Sequence, residues 1–166
     1  MTDYYTRTVI QPPIPAADMT PLERLLLSEI FTAEPQGDAV YFYAEEWPAS
    51  LLSIDRDDLD AAIASSRDTG GAAMTCVTEQ LLKLGPGSGG FIDLDVSGTS
   101  WEFILQNIVK RSPTLRYISA ISSFDCSKMR PDAFGGMAVL ITAERIVGKT
   151  TNDLLSDFLV EAGLEA

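Results

Sequence analysis

The stretch Asp125-Cys126-Ser127-Lys128-Met129-Arg130-Pro131-Asp132 is the most chemically mixed in the chain. Lys128 and Arg130 stand within four positions of the Cys126 thiol, and cations at that range favour the thiolate, the reactive form of cysteine. Three residues separate Cys126 from Arg130. A cysteine-phosphatase loop has a wider spacing, so that chemistry is not expected. Asp125, Cys126, Lys128 and Arg130 are therefore a candidate loop site, against the simpler reading of a structural thiol in a predicted loop of 12 residues, Asp125 to Gly136.

Ala143-Glu-Arg-Ile-Val-Gly148-Lys149-Thr150 fits a relaxed phosphate-loop pattern with alanine in place of the first glycine. Such a cradle needs converging backbone amides, and Ile146 and Val147 are stiff choices for it. Glu144 would repel the phosphates. The expectation is a strand end followed by a capped helix, where Lys149, Thr150 and the first helical amides could bind a simple anion. The glycine-rich segment 85–90 follows a helix and precedes a strand, opposite to the order of phosphate-binding loops, and reads as a linker.

Carboxylates are paired at Glu45-Glu46, Asp55-Arg-Asp57-Asp58 and Asp93-Leu-Asp95. Asp93 and Asp95 lie two apart on a predicted strand, so they share a face and could hold a cation or move protons. The structural alternative sets them on the solvent face, opposite Ile92, Leu94 and Val96.

The chain has no histidine. That removes the usual general base and rules out Ser–His and Cys–His pairs within one chain. With only Cys76 and Cys126 as thiols, neither a classical zinc site nor a disulfide framework is expected. No catalytic residue, metal or cofactor is assigned, and a non-catalytic role is favoured over an enzyme.

Charge is segregated along the chain. Residues 1–105 hold 17 acids and 5 bases, residues 106–149 hold 3 acids and 7 bases, and residues 150–166 hold 4 acids and no base. A segment of net +4 thus sits in a chain of net −12. The overall charge repels nucleic acid and anionic membranes, while a local basic patch could take a small anion or an acidic partner. If strands 115–124 and 137–143 pair antiparallel, Lys110, Arg111, Arg116, Arg145 and Lys149 gather at one sheet edge with Thr150, an anion-binding candidate. Lys128 and Arg130 then fall at the other edge, roughly 30 Å away at ~3.3 Å per residue. Dipole-complementing helix ends and surface ion pairs explain the same residues without a ligand.

The elements that must position these groups follow from pattern. Strands are expected at 4–10, 39–43, 51–54, 91–96, 115–124 and 137–143. Segment 51–54 is read as the hairpin partner of 39–43, and Pro35-Gln-Gly37 as the end of the first helical unit. Thr20-Pro-Leu-Glu23 and Thr99-Ser-Trp-Glu102 are capping boxes opening helices, the second of them mostly buried. Asp55-Arg-Asp-Asp58 opens an acidic helix, and Thr69-Gly-Gly71 precedes another that carries Met74, Val77, Leu81 and Leu84 on one face. A last helix is capped by Thr150 or Thr151, with Leu154, Leu155, Phe158 and Leu159 inward and Asp153, Asp157 and Glu161 outward.

This order gives an α+β single domain over 1–166, a mixed, mainly antiparallel sheet with helices packed against it, and residues 1–19 as an N-terminal strand plus Pro-rich connector. No secretory signal or membrane-length apolar run is read in the sequence, and a cytoplasmic location with reduced thiols is expected. The functional expectation is a binding or regulatory domain acting through a protein partner or as a homo-oligomer. The alternatives are a binder or enzyme for a small anion at the basic cluster, and an acidic mimic of nucleic acid displaying Asp55, Asp57, Asp58 and Asp60.

Overall fold

A computed structural model describes residues 1–66, 70–87 and 89–164. Thr69 of the predicted separator and Ser88 of the glycine loop lie outside them. The elements run β1 (Tyr4–Gln11), β2 (Ile14–Pro15), α1 (Pro21–Ile30), β3 (Thr32–Gln36), β4 (Ala39–Ala44), β5 (Leu51–Asp55), α2 (Arg56–Ser66), α3 (Ala72–Leu84), β6 (Phe91–Asp95), α4 (Trp101–Arg111), β7 (Tyr117–Cys126), β8 (Gly135–Thr142), β9 (Ile146–Thr150) and α5 (Thr151–Glu161). The fold is α+β, and its recorded strand pairs are all antiparallel.

Among the described residues, seven strands form the main sheet. β1 and, past the Pro12-Pro13 bend, β2 run along one side of β4, while β3 runs along the other. Beyond β1 come β7, β8 and β9 in order. Period-two alternation sends Thr8, Ile10, Phe42, Ile118, Ala120, Val139 and Ile141 to the inner face, where all are buried. Val9, Ile121, Ala138 and Leu140 point the other way and are exposed.

Helices α1 and α4 cover the inner face. Thr20 caps α1, its hydroxyl accepting the Glu23 amide, with Pro21 at the first helical position. Leu22, Leu26, Leu27 and Ile30 then enter the core. Gln106 of α4 is buried and donates to the Thr142 carbonyl, tying helix to sheet. Phe31 meets Trp101 edge-on at 5.3 Å between centroids. Behind α1 and α4 lie α2, α3 and the β5–β6 ladder. Ser66 accepts the Leu22 amide, and Asn107 accepts the Ala72 amide.

Several expectations change. Segment 32–36 is strand β3: Gly37, at φ +61°, turns the chain so that β3 pairs with β4, and Pro35 is tolerated because that strand is an edge. β5 is not the partner of β4. Residues 47–50 carry the chain off the main sheet, and β5 pairs with β6 in a separate ladder that buries Leu52, Ile54 and Leu94. Ser100, not Thr99, is the N-cap of α4, and its side chain accepts no capping bond from the helix. β7 extends to Cys126 and β8 begins at Gly135, so Asp125 and Cys126 are strand residues and the connection shortens to 127–134.

The largest change is at the C-terminal end. Residues 146–150, expected as a strand end running into a helix, form β9, an edge strand folded back on β8 by a turn in which the Thr142 amide donates to the Arg145 carbonyl. α5 starts at the next residue. Thr150 is its N-cap in a full capping box with Asp153. Its predicted inward residues are not inward: no residue of α5 is buried.

Candidate functional site

The basic residues do not share one pocket. Arg111 reaches into the interior, donating to the buried Glu23 carboxylate at 2.7 Å and to the Asp18 carbonyl. Burial holds the Glu23 carboxyl above its ordinary range, even though Arg111 pulls in the opposite direction. Arg116 lines a shallow cleft with Gln11, Pro12 and Tyr117. Arg145 lines another with Glu102, Phe103 and Gln106. Lys110 is exposed at the end of α4.

β9 carries Lys149 away from that edge. Lys149 stands opposite Ala138, roughly 13 Å along the strand from Arg145 at ~3.3 Å per residue. There its ammonium contacts the Asp157 carboxylate of α5. That contact raises the Lys149 pKa. The Thr150 hydroxyl is occupied by the capping box. Residues 143–150 form a hairpin turn and a strand rather than a phosphate cradle.

At the opposite edge, Cys126 is buried and its sulfur lies against the backbone of Lys128, donating to the carbonyl at 2.8 Å and accepting from the amide at 3.2 Å. Asp125 is paired in register with Tyr5. Arg130 donates to the Tyr4 hydroxyl at 3.4 Å. Lys128 is exposed. These contacts give the segment a packing role in closing the β7–β8 connection. Asp93 and Asp95 are exposed on β6 opposite the buried Leu94, as the structural alternative has it, and Asp95 bonds Ser97.

A cleft of about 410 Å³ opens between the inner sheet face and the start of α4. Its walls carry the hydroxyls of Thr6, Thr8, Ser97, Ser100 and Ser122 with the Trp101 ring and Glu102. Thr8 and Ser122 bond each other at 2.8 Å, and Ser100 bonds Glu102. Desolvation raises the Glu102 pKa. Glu102 is the sole titratable side chain among the described residues lining the cleft, so acid–base chemistry would have one member and no partner.

The most unusual feature is an apolar surface. Leu155 and Phe158 on α5 are 56% and 58% exposed, and Leu154, Leu159 and Val160 beside them are also exposed. Asp157 alone in α5 is half-buried, because it turns toward Lys149 of its own sheet. Asp153, Asp157 and Glu161 run down one side of the helix, with Leu155 on the far side and Phe158 beside Glu161. Asp153 and Glu161 are exposed like the leucines, so α5 meets its own sheet through Thr151 and Asp157 and leaves its apolar side chains open.

The outer sheet face continues the pattern. Val9 pairs with Ile121, Ile121 with Ala138 and Leu140 with Val147 across four adjacent strands. Ile121 is 51% exposed and Leu140 42%. Tyr41 and Tyr43 stack at 5.2 Å farther along this face. Helical periodicity located the α5 stripe but not its orientation, since a stripe of this kind normally faces its own core. The sheet patch had a sequence signal: Met137-Ala-Val-Leu-Ile141 is apolar at both parities, the pattern of a strand covered on both faces.

Comparison with family models, with curated proteins and with solved structures finds no match to this chain. No helix among the described residues is long and apolar enough to cross a membrane. The fold and surface define an antiparallel α+β domain that presents an apolar helix and an apolar sheet face.

Proposed function

We propose that this protein is a non-catalytic binding domain that acts through protein–protein contacts, with α5 and the outer sheet face as its working surface. The observation that carries the reading is the orientation of α5. A helix that meets its own sheet through Thr151 and Asp157 while Leu154, Leu155, Phe158, Leu159 and Val160 all stay exposed gains nothing from that arrangement in isolation. The α5 patch, on the order of 500 Å², lies in the upper part of the ~300–600 Å² range of a monomer's largest apolar patch, and such patches often mark interaction sites. The missing histidine and the lone carboxylate of the cleft support a role without catalysis. A cytoplasmic location belongs to the same proposal, resting on the free thiols Cys76 and Cys126.

The other expectations have less behind them. The five candidate anion-binding bases are spread over separate clefts and ion pairs. The acids of the mimic reading are used locally: Asp55 accepts the Asp57 and Asp58 amides, and Asp60 pairs with Arg56.

The test compares the wild-type chain with Leu155→Asp/Phe158→Asp, following self-association and binding to any purified partner. Loss of association in the variant, with circular dichroism unchanged, is expected. Identical association by both proteins would overturn the reading.

A further inference from the structure

Resting on that reading, we infer that the occupant of this surface is a second copy of the same chain, with α5 of each copy seated on the outer sheet face of the other. Among the described residues, two apolar surfaces are exposed, a helix stripe and an open sheet face. It cannot bring its own pair together. β9 ends at Thr150 and α5 begins at Thr151 with no linker between them, so the helix cannot swing across its own sheet. Thr151 accepts the Gly136 amide at the start of the helix, and Lys149 holds Asp157 two turns later. Both contacts keep α5 against β8 and β9 with Leu155 and Phe158 exposed.

A twofold axis solves this geometry. An isologous contact uses the same two patches on each copy, so helix on sheet is made twice and both patches are covered. Area favours this arrangement over pairing α5 with α5. The helix patch alone leaves open about 500 Å² of apolar surface, counting partial exposures at ~150–250 Å² per large side chain. Adding Val9, Ile121, Leu140, Val147 and Tyr117 brings the sum to about 1,000 Å² per copy. Helix-to-helix pairing would also leave the sheet face open.

The experiment mixes two singly substituted chains, Ala138→Cys on the outer face and Ala162→Cys at the end of α5, with a short bismaleimide. Both positions are exposed, whereas Cys76 and Cys126 are buried. We expect covalent dimer from the mixture well above that from either variant alone, abolished by adding Phe158→Asp to the Ala162→Cys chain. Because Phe158 is exposed in the isolated chain, that change leaves the fold intact, which circular dichroism checks. Preferential linking of Ala162→Cys to itself would overturn this inference in favour of an α5–α5 contact and leave the binding-domain reading standing. A chain that neither links nor sediments above monomer would overturn it as well, and the binding-domain reading would then be judged by partner binding alone.

Discussion

Lys149 holds Asp157. The ammonium of the second-last residue of β9 contacts a carboxylate two turns into α5, and that contact, with the Thr151–Gly136 bond, ties the helix to the sheet edge. With Asp157 turned to Lys149, Leu155 lies across the helix from it and is exposed, as is Phe158. An apolar stripe that would ordinarily belong to the core becomes surface.

The start of α5 depends on its cap. The Thr150 hydroxyl accepts the Asp153 amide, and the Asp153 carboxylate accepts the Thr150 amide at 2.7 Å. Thr150→Ala is expected to weaken the first turn by about 1 kcal/mol. Hydrogen exchange should show faster exchange in α5 and little change in β7. Uniform loss of protection throughout the sheet would contradict a local role.

Arg111 and Glu23 are the interior ion pair. The Glu23 side chain is only 3% exposed, so Arg111→Met strands a carboxylate, and a loss of about 3 kcal/mol is expected by denaturant titration. Glu23→Gln together with Arg111→Met should recover part of that loss. Acid should also shrink the defect of Arg111→Met, because protonation removes the stranded charge. A defect that grows on acidification would contradict this account.

Glu102 gives a signed pH dependence. Its folded pKa is raised by desolvation, so between the ordinary carboxylate value, about 4.3, and the folded value the native state binds more protons than the unfolded state. Its contribution is complete below that window and is lost as pH rises through it. Glu102→Gln lacks this loss, so its stability relative to wild type should increase from pH 4 to pH 7. A relative decrease over that range would contradict the assignment.

Gly71 is the one glycine where conformation and space both matter. It adopts φ +97°, and a Cβ there would lie 2.9 Å from Asn107 Oδ1, the atom that accepts the Ala72 amide. Gly71→Ala should cost about 1–3 kcal/mol through backbone strain and a displaced α3–α4 tie. A thermal midpoint equal to wild type would show that the loop adapts freely.

How far the sequence could be read follows from these same residues. Helix starts were legible at Thr20 and Thr150 because a cap is a local chemical event between residues three apart. Inward strand positions were legible from alternation. Strand partners were not: β5 could be matched to β4 by proximity in the chain, yet its partner β6 comes only after two intervening helices. β9 was hidden because Glu144 and Arg145 form a turn without glycine or proline. Grouping Lys149 with Arg116 failed for the same reason, since one unseen strand reverses the chain. The orientation of α5 was beyond periodicity, because periodicity finds a stripe while its direction depends on tertiary contacts such as Thr151–Gly136 and Lys149–Asp157.

Sedimentation equilibrium of the full chain across the micromolar range tests the central claim most directly. The account predicts a concentration-dependent dimer that Phe158→Asp converts to monomer with unchanged secondary structure. A monomer at every concentration, or a dimer indifferent to Phe158→Asp, would contradict it.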